Sequence, residues 1–588
     1  MPDRFVQTPP SLDNQYDTDR VLTSYVRRVL PESVLDAVEP ELRDLGALSG
    51  GALYRLQQSD LGAEPTLTRW GPWGRRVDQI EVTDVWKRAA EVAARYGVVA
   101  AGYDDAHGAW NRVHQFALAY LFIPSTDMYG CPLAMTDGAA FTLLQSGNAA
   151  LMDAAVPHLT SRDPDTAWTS GQWMTELAGG SDVGRSLTVA RREGDTWRLY
   201  GRKWFTSAIT ANMALALARP ENNPDGGKGL ALFYVPIRDG GGLRDGIHVN
   251  RLKDKLGTRK LPTAELRLDG AAAKLVSDEP AHGTRHIAPM LNITRTWNAV
   301  TASAFMRRAV ALARDYATKR EAFGTALLNH PLHQETLADL EATAEGAFHL
   351  SMRLAELLGR QQAGTSRDAE DALFRLLTPI AKLTTAKQAV AATSEMMEAF
   401  GGAGYVEDTG LPMLHRDAQV LPIWEGTTNV LALDTLRAVK KIGSPAPLRE
   451  EVQRCVDALE DNRLRRAAQP ATEAVEAATT WLAETMDTPS ALQAGARRVA
   501  LTLGRALELL LTARHAQWCL THDQDERSRF AAERLAERPL NRIGSLPREG
   551  TRRLAGVSSA DGPKGSDEAS PAGDGSAAAT SSAPSRPS

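Results

Sequence analysis

Cysteine is scarce in this chain, three in 588 residues, and Cys131, Cys455 and Cys519 lie too far apart to form the paired spacings of a zinc site or a redox motif. They are expected as small buried apolar residues, and nothing in the sequence points to a metal. Long apolar runs are also missing. No stretch approaches the roughly 20 residues that cross a bilayer, and Met1-Pro2-Asp3-Arg4-Phe5-Val6-Gln7 is not the start of a secretory signal, so a cytoplasmic location with no membrane partner is expected. No large charge of one sign is present. A formal net charge of -5 gives no global attraction to nucleic acid, which would need a local basic face.

What is present is the composition of a globular protein, 43% hydrophobic and 24% charged with a mean hydropathy of -0.29, long enough for several folding units. Apolar positions recur at helical spacing around Val21, Leu22, Tyr25 and Val26 and around Trp86, Ala89, Val92 and Ala93, which predicts a helical domain over 1–165. Short β-branched and aromatic runs separated by turn clusters such as Asn222-Asn223-Pro224-Asp225-Gly226-Gly227 predict a β domain over 166–285. Val300, Phe305, Ala309, Leu312 and Tyr316 reopen the helical period, giving a second helical domain over 286–440 and a further helical segment over 441–545. Residues 546–588 end in a Ser, Ala, Pro and Gly tail that is expected to be disordered.

Ile423-Trp424-Glu425-Gly426-Thr427-Thr428-Asn429 places one carboxylate between a bulky aromatic and a pair that can open a helix. Backbone donors or a desolvating indole would each tune that carboxylate as a general base. The same string also reads as a loop with Thr427 or Thr428 as N-cap and Glu425 in solvent. Met174-Thr175-Glu176-Leu177-Ala178-Gly179-Gly180-Ser181 supplies hydroxyls and glycines in a loop that lets backbone N–H groups approach a phosphate or a ring edge, although such a string is also an ordinary polar turn.

With Gly201-Arg202-Lys203-Trp204-Phe205-Thr206-Ser207, Arg320-Glu321-Ala322-Phe323-Gly324, Gly401-Gly402-Ala403-Gly404-Tyr405 and Arg416-Asp417-Ala418, in this order, the chain resembles the acyl-CoA dehydrogenase family. The resemblance implies an α+β fold with an N-terminal helical domain, a central antiparallel β domain and a C-terminal helical bundle, here with an extra helical extension. It implies FAD as cofactor, an acyl-CoA thioester as substrate, a homo-oligomer (dimer or tetramer), and Glu425 as the base that takes the α-proton while hydride leaves the β-carbon. Met174, Thr175, Gly180, Ser181, Phe205, Thr206, Ser207, Gly401, Gly402, Ile423, Trp424, Gly426, Thr427 and Asn429 match flavin-contacting positions. Arg320 and Phe323 match residues that reach FAD across a subunit interface, and Arg295 matches a CoA-contacting arginine. No motif names the electron acceptor.

Trp424 stands where Tyr is usual, which implies a substrate-contacting residue that partly fills the pocket above the flavin and disfavours long straight acyl chains; Asn292 stands where an acid is usual, and Leu177 where Pro is usual. Trp424-Glu425-Gly426-Thr427, the Thr175-Glu176-Leu177-Ala178-Gly179-Gly180-Ser181-Asp182 loop, Lys203-Trp204-Phe205 and the extra helical segment together resemble the AidB-like branch, linked to the adaptive response to DNA alkylation. That resemblance implies feeble activity on short or branched thioesters such as isovaleryl-CoA and double-stranded DNA as a partner. Alternatives are a DNA-binding flavoprotein that protects or repairs alkylated DNA with different or no catalysis, and an acyl-CoA oxidase. Between 441 and 545 there are 15 Lys+Arg and 15 Asp+Glu, so the segment is not basic overall, and the DNA candidates are the local clusters Arg463, Arg465, Arg466, Arg497 and Arg498, with Arg505 seven residues along one helix face. The competing reading of these arginines is a solvated, ion-paired helix face.

Overall fold

The computed structural model describes residues 7–239, 242–544 and 546–557. Helices α1 (Arg20–Val29), α2 (Glu32–Gly50) and α3 (Ala52–Ser59) open the chain. Asp19 caps α1 by accepting from the backbone N–H of Val21 and Leu22, and Val21, Leu22, Tyr25 and Val26 are buried as their spacing requires. A hairpin, β1 (Thr66–Trp70) and β2 (Arg76–Glu81), interrupts this region, which the helical reading of 1–165 did not anticipate. Its Gly71-Pro72-Trp73-Gly74 turn was the available signal. Then follow α4 (Asp84–Arg95), α5 (Asn111–Phe122), α6 (Gly130–Ser146) and α7 (Ala149–Leu159).

The β region comprises β3 (Ser170–Trp173), β4 (Val189–Glu193), β5 (Thr196–Thr206), β6 (Met213–Pro220), β7 (Ala231–Pro236), a short β8 (Arg238–Asp239) and β9 (Gly242–Leu243) pair, β10 (Ile247–Leu252) and β11 (Ala264–Leu275). The order is β10-β11-β5-β4-β6-β3, and β7 bridges β6 to the far end of β11, so the strands close on themselves. Pairing is antiparallel except for β6 with β3 and with β4, which are parallel. Alternate residues such as Leu199, Leu266, Leu268, Phe233 and Val235 point inward to a core of their own.

After α8 (Gly283–His286), the 32-residue α9 (Ala288–Lys319) buries Val300, Phe305, Ala309, Leu312 and Tyr316. A two-residue hairpin, β12 (Glu321–Ala322) and β13 (Thr325–Ala326), leads to α10 (Pro331–Gln362), α11 (Asp368–Ala399), α12 (Leu411–Ala418) and α13 (Thr428–Ile442). The additional segment forms α14 (Ala446–Asp457), α15 (Asn462–Thr485), α16 (Pro489–His522) and α17 (Arg527–Ala536). Its apolar faces share the main helical core, and Met1–Ile543 is one compact unit. In the remaining unit α18 (Arg548–Leu554) forms within the 546–588 segment expected to be disordered, and from 558 on that segment lies outside the described residues. All three cysteines are buried, as expected. Among the described residues no helix is long and apolar enough to cross a membrane.

Candidate active site

Glu425 lies in the turn between α12 and α13 with φ +55°, a left-handed conformation that few non-glycine residues adopt. Among the described residues no backbone N–H donates to its carboxylate. The Thr294 hydroxyl, from the first turns of α9, donates to Oε2 at 2.6 Å. The indole N–H of Trp424 instead donates to the side-chain oxygen of buried Asn298, one helical turn along α9. Behind the turn, buried Lys382 of α11 donates to the Trp424 carbonyl at 2.6 Å and the Gly426 carbonyl at 2.8 Å. Arg295 Nε donates to the Glu425 carbonyl between them at 3.3 Å. Burial pushes the Lys382 ammonium down to about 7, against the opposing pull of Glu425.

Arg295, expected on the substrate, is turned inward in this structure. It pairs with Asp434 of α13 at 2.7 Å, and Arg375 takes the other oxygen of that carboxylate at 2.9 Å. Thr427 is the N-cap position of α13 but makes no side-chain capping bond. Ile423, Thr427 and Asn429 are exposed, and Gly426, at φ +102°, needs the freedom of glycine.

At one end of the β region, the glycine loop is fastened to β5. The Trp204 N–H donates to the Thr175 carbonyl at 2.9 Å, and buried Glu176 pairs with buried Lys203 at 2.7 Å while accepting from the Thr188 hydroxyl at 2.6 Å and the Leu187 N–H at 2.7 Å. Burial pushes the Glu176 carboxyl up, but Lys203 outweighs this and holds it below the usual range. A Cβ on Gly180 would come within 3.0 Å of the Thr175 hydroxyl, so glycine lets the loop close over Thr175. Met174 receives a contact from Gln172, and Ser181 is exposed.

Phe205 is 49% exposed, and the Lys253 ammonium lies 4.5 Å from its ring centroid and 3.3 Å from that of Trp204. The Thr206 hydroxyl is spent inward on the Ala264 carbonyl, whereas Ser207 sits 3.2 Å from the Thr263 hydroxyl. Lys255 donates to that same hydroxyl at 3.0 Å, and burial pushes it down to about 8. The adjoining loop meets α12 where the Thr258 N–H donates to Asp417 at 2.5 Å, which brings this end of the β region against the segment leading to Glu425.

Arg320, Phe323, Gly401 and Gly402 are not brought to Glu425. Arg320 follows α9 by one residue and donates to Gln7, 26 positions beyond Thr294, which at 1.5 Å per residue is roughly 40 Å. Phe323 tops the small hairpin, 98% exposed and at φ +50°. The Gly401–Tyr405 turn stays at that far end because the Tyr316 and Phe400 rings pack 4.4 Å apart. Among the DNA candidates, Arg463 pairs with Asp461 at 2.7 Å and lies 3.5 Å from Glu526, Arg465 donates to the Leu459 carbonyl, and Arg505 to the Pro539 carbonyl. Arg466 and Arg497 are exposed and Arg498 is half-buried. Among the described residues no cluster of three or more His, Cys, Asp or Glu could hold a metal ion.

Comparison with known proteins accounts for most of the chain. Residues 171–271 match "Acyl-CoA dehydrogenase, middle domain", 281–440 match "Acyl-CoA dehydrogenase, C-terminal domain", and 7–166 match "Adaptive response protein AidB N-terminal domain". The Caenorhabditis elegans acyl-CoA dehydrogenase family member 11 is 43% identical over 529 residues, covering 87% of this chain and 86% of that one. The chain belongs to the acyl-CoA dehydrogenase family. It is thereby an oxidoreductase of the class acting on CH–CH donors, and it carries the AidB-type N-terminal domain. The Escherichia coli putative acyl-CoA dehydrogenase AidB is 33% identical over 443 residues, 74% of this chain and 79% of that one. The solved structure of Caenorhabditis elegans ACDH-11 in complex with C11-CoA superposes with a TM-score of 0.89 at 40% identity, over 94% and 97% of the two chains. A Bacillus anthracis acyl-CoA dehydrogenase complexed with FAD shares the fold at a TM-score of 0.68 and 17% identity, over 89% and 90%.

Thr294, Asn298 and Lys382, which hold the turn that carries Glu425, are residues of this candidate site that sequence reasoning missed. A lone lysine among the buried residues of Leu376-Leu377-Thr378-Pro379-Ile380-Ala381-Lys382-Leu383 was a signal for the third.

Proposed function

We propose that this chain binds FAD and catalyses α,β-dehydrogenation of an acyl-CoA thioester, with Glu425 as the base. The observation that carries this is the Glu425 carboxylate itself, fixed by Thr294 in a left-handed turn beside the junction with the β region. The residues present suit the cofactor. The half-exposed Phe205 ring offers a stacking surface, the Thr175–Ser181 loop offers hydroxyls and a backbone without crowding Cβ atoms, and the Asn298 side-chain nitrogen is a buried donor without a partner beside Trp424. Thr175, Ser181, Phe205 and Ser207 would hold the ring end.

FAD, when bound, supplies the hydride acceptor that no side chain offers. The protein's own part is to place and dry the base. Glu425 takes the α-proton, the Thr294 hydroxyl fixes which oxygen faces the substrate, and the Trp424 indole, locked to Asn298, narrows the cleft and excludes water. A narrow cleft favours short or branched acyl groups such as isovaleryl. Because Arg320 and Phe323 lie roughly 40 Å along α9 from this site, they serve the site of a second copy in a homo-oligomer.

Glu425→Gln should keep bound, yellow FAD and slow the anaerobic bleaching of that colour by isovaleryl-CoA by about 10²- to 10⁴-fold. Bleaching at the wild-type rate would refute the assignment of the base.

A second reading adds duplex DNA at the α15–α16 surface, supported by Arg466 and Arg497, which are exposed and make no ion pair among the described residues. Duplex affinity should fall steeply between 50 and 200 mM salt and weaken in an Arg466→Ala/Arg497→Ala double variant. Affinity insensitive to both would remove this reading.

A further inference from the structure

We propose that Lys382 is the positioning residue of the base: its ammonium, set behind the Trp424–Gly426 turn, holds Glu425 in its left-handed backbone conformation and sets a positive charge behind its carboxylate. The inference rests on the reading of Glu425 as the base.

Three successive carbonyls, those of Trp424, Glu425 and Gly426, are each occupied by a buried cation, the outer two by Lys382 and the middle one by Arg295. A non-glycine residue at φ +55° persists only where its surroundings over-determine it, and these three bonds are the over-determination. Lys382 is fully buried, and both of its bonded partners are neutral oxygens. The other charges nearby are committed elsewhere. Arg295 from α9 is neutralised by Asp434 of α13, and that carboxylate also takes Arg375 from the same helix as Lys382. Cys131 lies within electrostatic reach of Glu425, and burial keeps that thiol neutral by pushing it up to about 12. The anion left to balance Lys382 is therefore the Glu425 carboxylate.

Charge and hydrogen bonding separate cleanly here. A neutral amine still has two N–H groups, enough for both carbonyls, so the turn keeps its shape when Lys382 loses its proton. What disappears is the positive charge behind the base. Burial places that loss near neutrality, at about 7, so the charge behind the base is present on the acidic side of the activity profile and absent on the alkaline side.

The test uses the full-length holoprotein as Lys382→Met and Lys382→Arg, with anaerobic bleaching by isovaleryl-CoA followed from pH 5.5 to 9 and amide hydrogen exchange of residues 421–429 measured without substrate. The methionine variant should bleach at least 10-fold more slowly, move the acidic limb of the profile to higher pH, and exchange faster in the turn. The arginine variant, which keeps the charge, should retain the acidic limb. A methionine variant with the wild-type limb and wild-type exchange would overturn the proposal, as would an arginine variant whose limb shifts by a full pH unit, which is the deciding result if the methionine protein does not fold. Failure of the underlying reading shows separately, as undiminished bleaching in Glu425→Gln.

Discussion

Arg353 on α10 grips Glu451 on α14 with two parallel bonds, Nε and Nη2 each 3.0 Å from a carboxylate oxygen, in a site where both side chains are buried. Arg353 also takes Glu356 at 2.7 Å, and Arg454 closes on Glu451 from its own helix. This network ties the first added helix to the dehydrogenase bundle. Removing one partner from a buried pair leaves the other charge uncompensated.

Arg353→Met should therefore destabilise the protein by about 3–5 kcal/mol, measured by denaturant unfolding. Burial raises the Glu451 carboxyl, but Arg353 and Arg454 outweigh it and hold it down at about 2. A depressed carboxyl contributes stability that is present above its ordinary value of 4.5 and lost as pH falls towards 2. The wild type should accordingly lose stability progressively across that window, and Arg353→Met should show a shallower loss over the same range.

Lys203→Met tests the fastening of the glycine loop. It leaves Glu176 buried without its cation, so a loss of about 3–5 kcal/mol is expected. Because the neighbouring Trp204 N–H holds the Thr175 carbonyl, purified Lys203→Met should also carry less FAD per chain than wild type, read from the ratio of flavin to protein absorbance. Full flavin content with unchanged stability would show that the loop is held by other means.

The bond between Trp424 and Asn298 offers a test of the proposed narrow acyl cleft. Trp424→Phe and Asn298→Leu each remove the bond between these side chains. Both should raise the kcat/KM ratio of straight C10–C12 acyl-CoA over isovaleryl-CoA by roughly 10-fold, the value of one or two methylenes in an apolar pocket. An unchanged ratio would place the control of acyl length elsewhere.

Much of the architecture was legible because its signals are periodic. The spacing of Val300 to Tyr316 located α9, and the β-branched runs at 187–190, 196–200 and 230–235 located the starts of β4, β5 and β7 within two residues, although β4 and β5 run on beyond them to Glu193 and Thr206. The parallel pairings of β6 and the closure through β7 were not legible, since pairing partners are set by long-range contacts that local pattern does not encode. At the site, the turn carrying Glu425 stood out as an unusual string, but its supports did not. Thr294 and Asn298 are ordinary residues of a long helix, and Lys382 lies 43 positions upstream of the residue whose backbone it braces. Arg295 shows the limit of spacing arguments: position in sequence put it near the site, and Asp434 decided which way it points.

The left-handed backbone at residue 425 also bears on how such a protein can change over time. Glycine there would relax the turn, and asparagine or aspartate would be tolerated better than most residues. Glycine, asparagine or aspartate at 425, each of which removes or shortens the carboxylate, thus runs thermodynamically downhill, by about 1 kcal/mol for a glycine that relieves such strain. A descendant that lost dehydrogenation could keep, or even firm up, the same fold and turn its surfaces to another task, while a lineage that needs the chemistry must hold a glutamate where the chain would rest more easily without one.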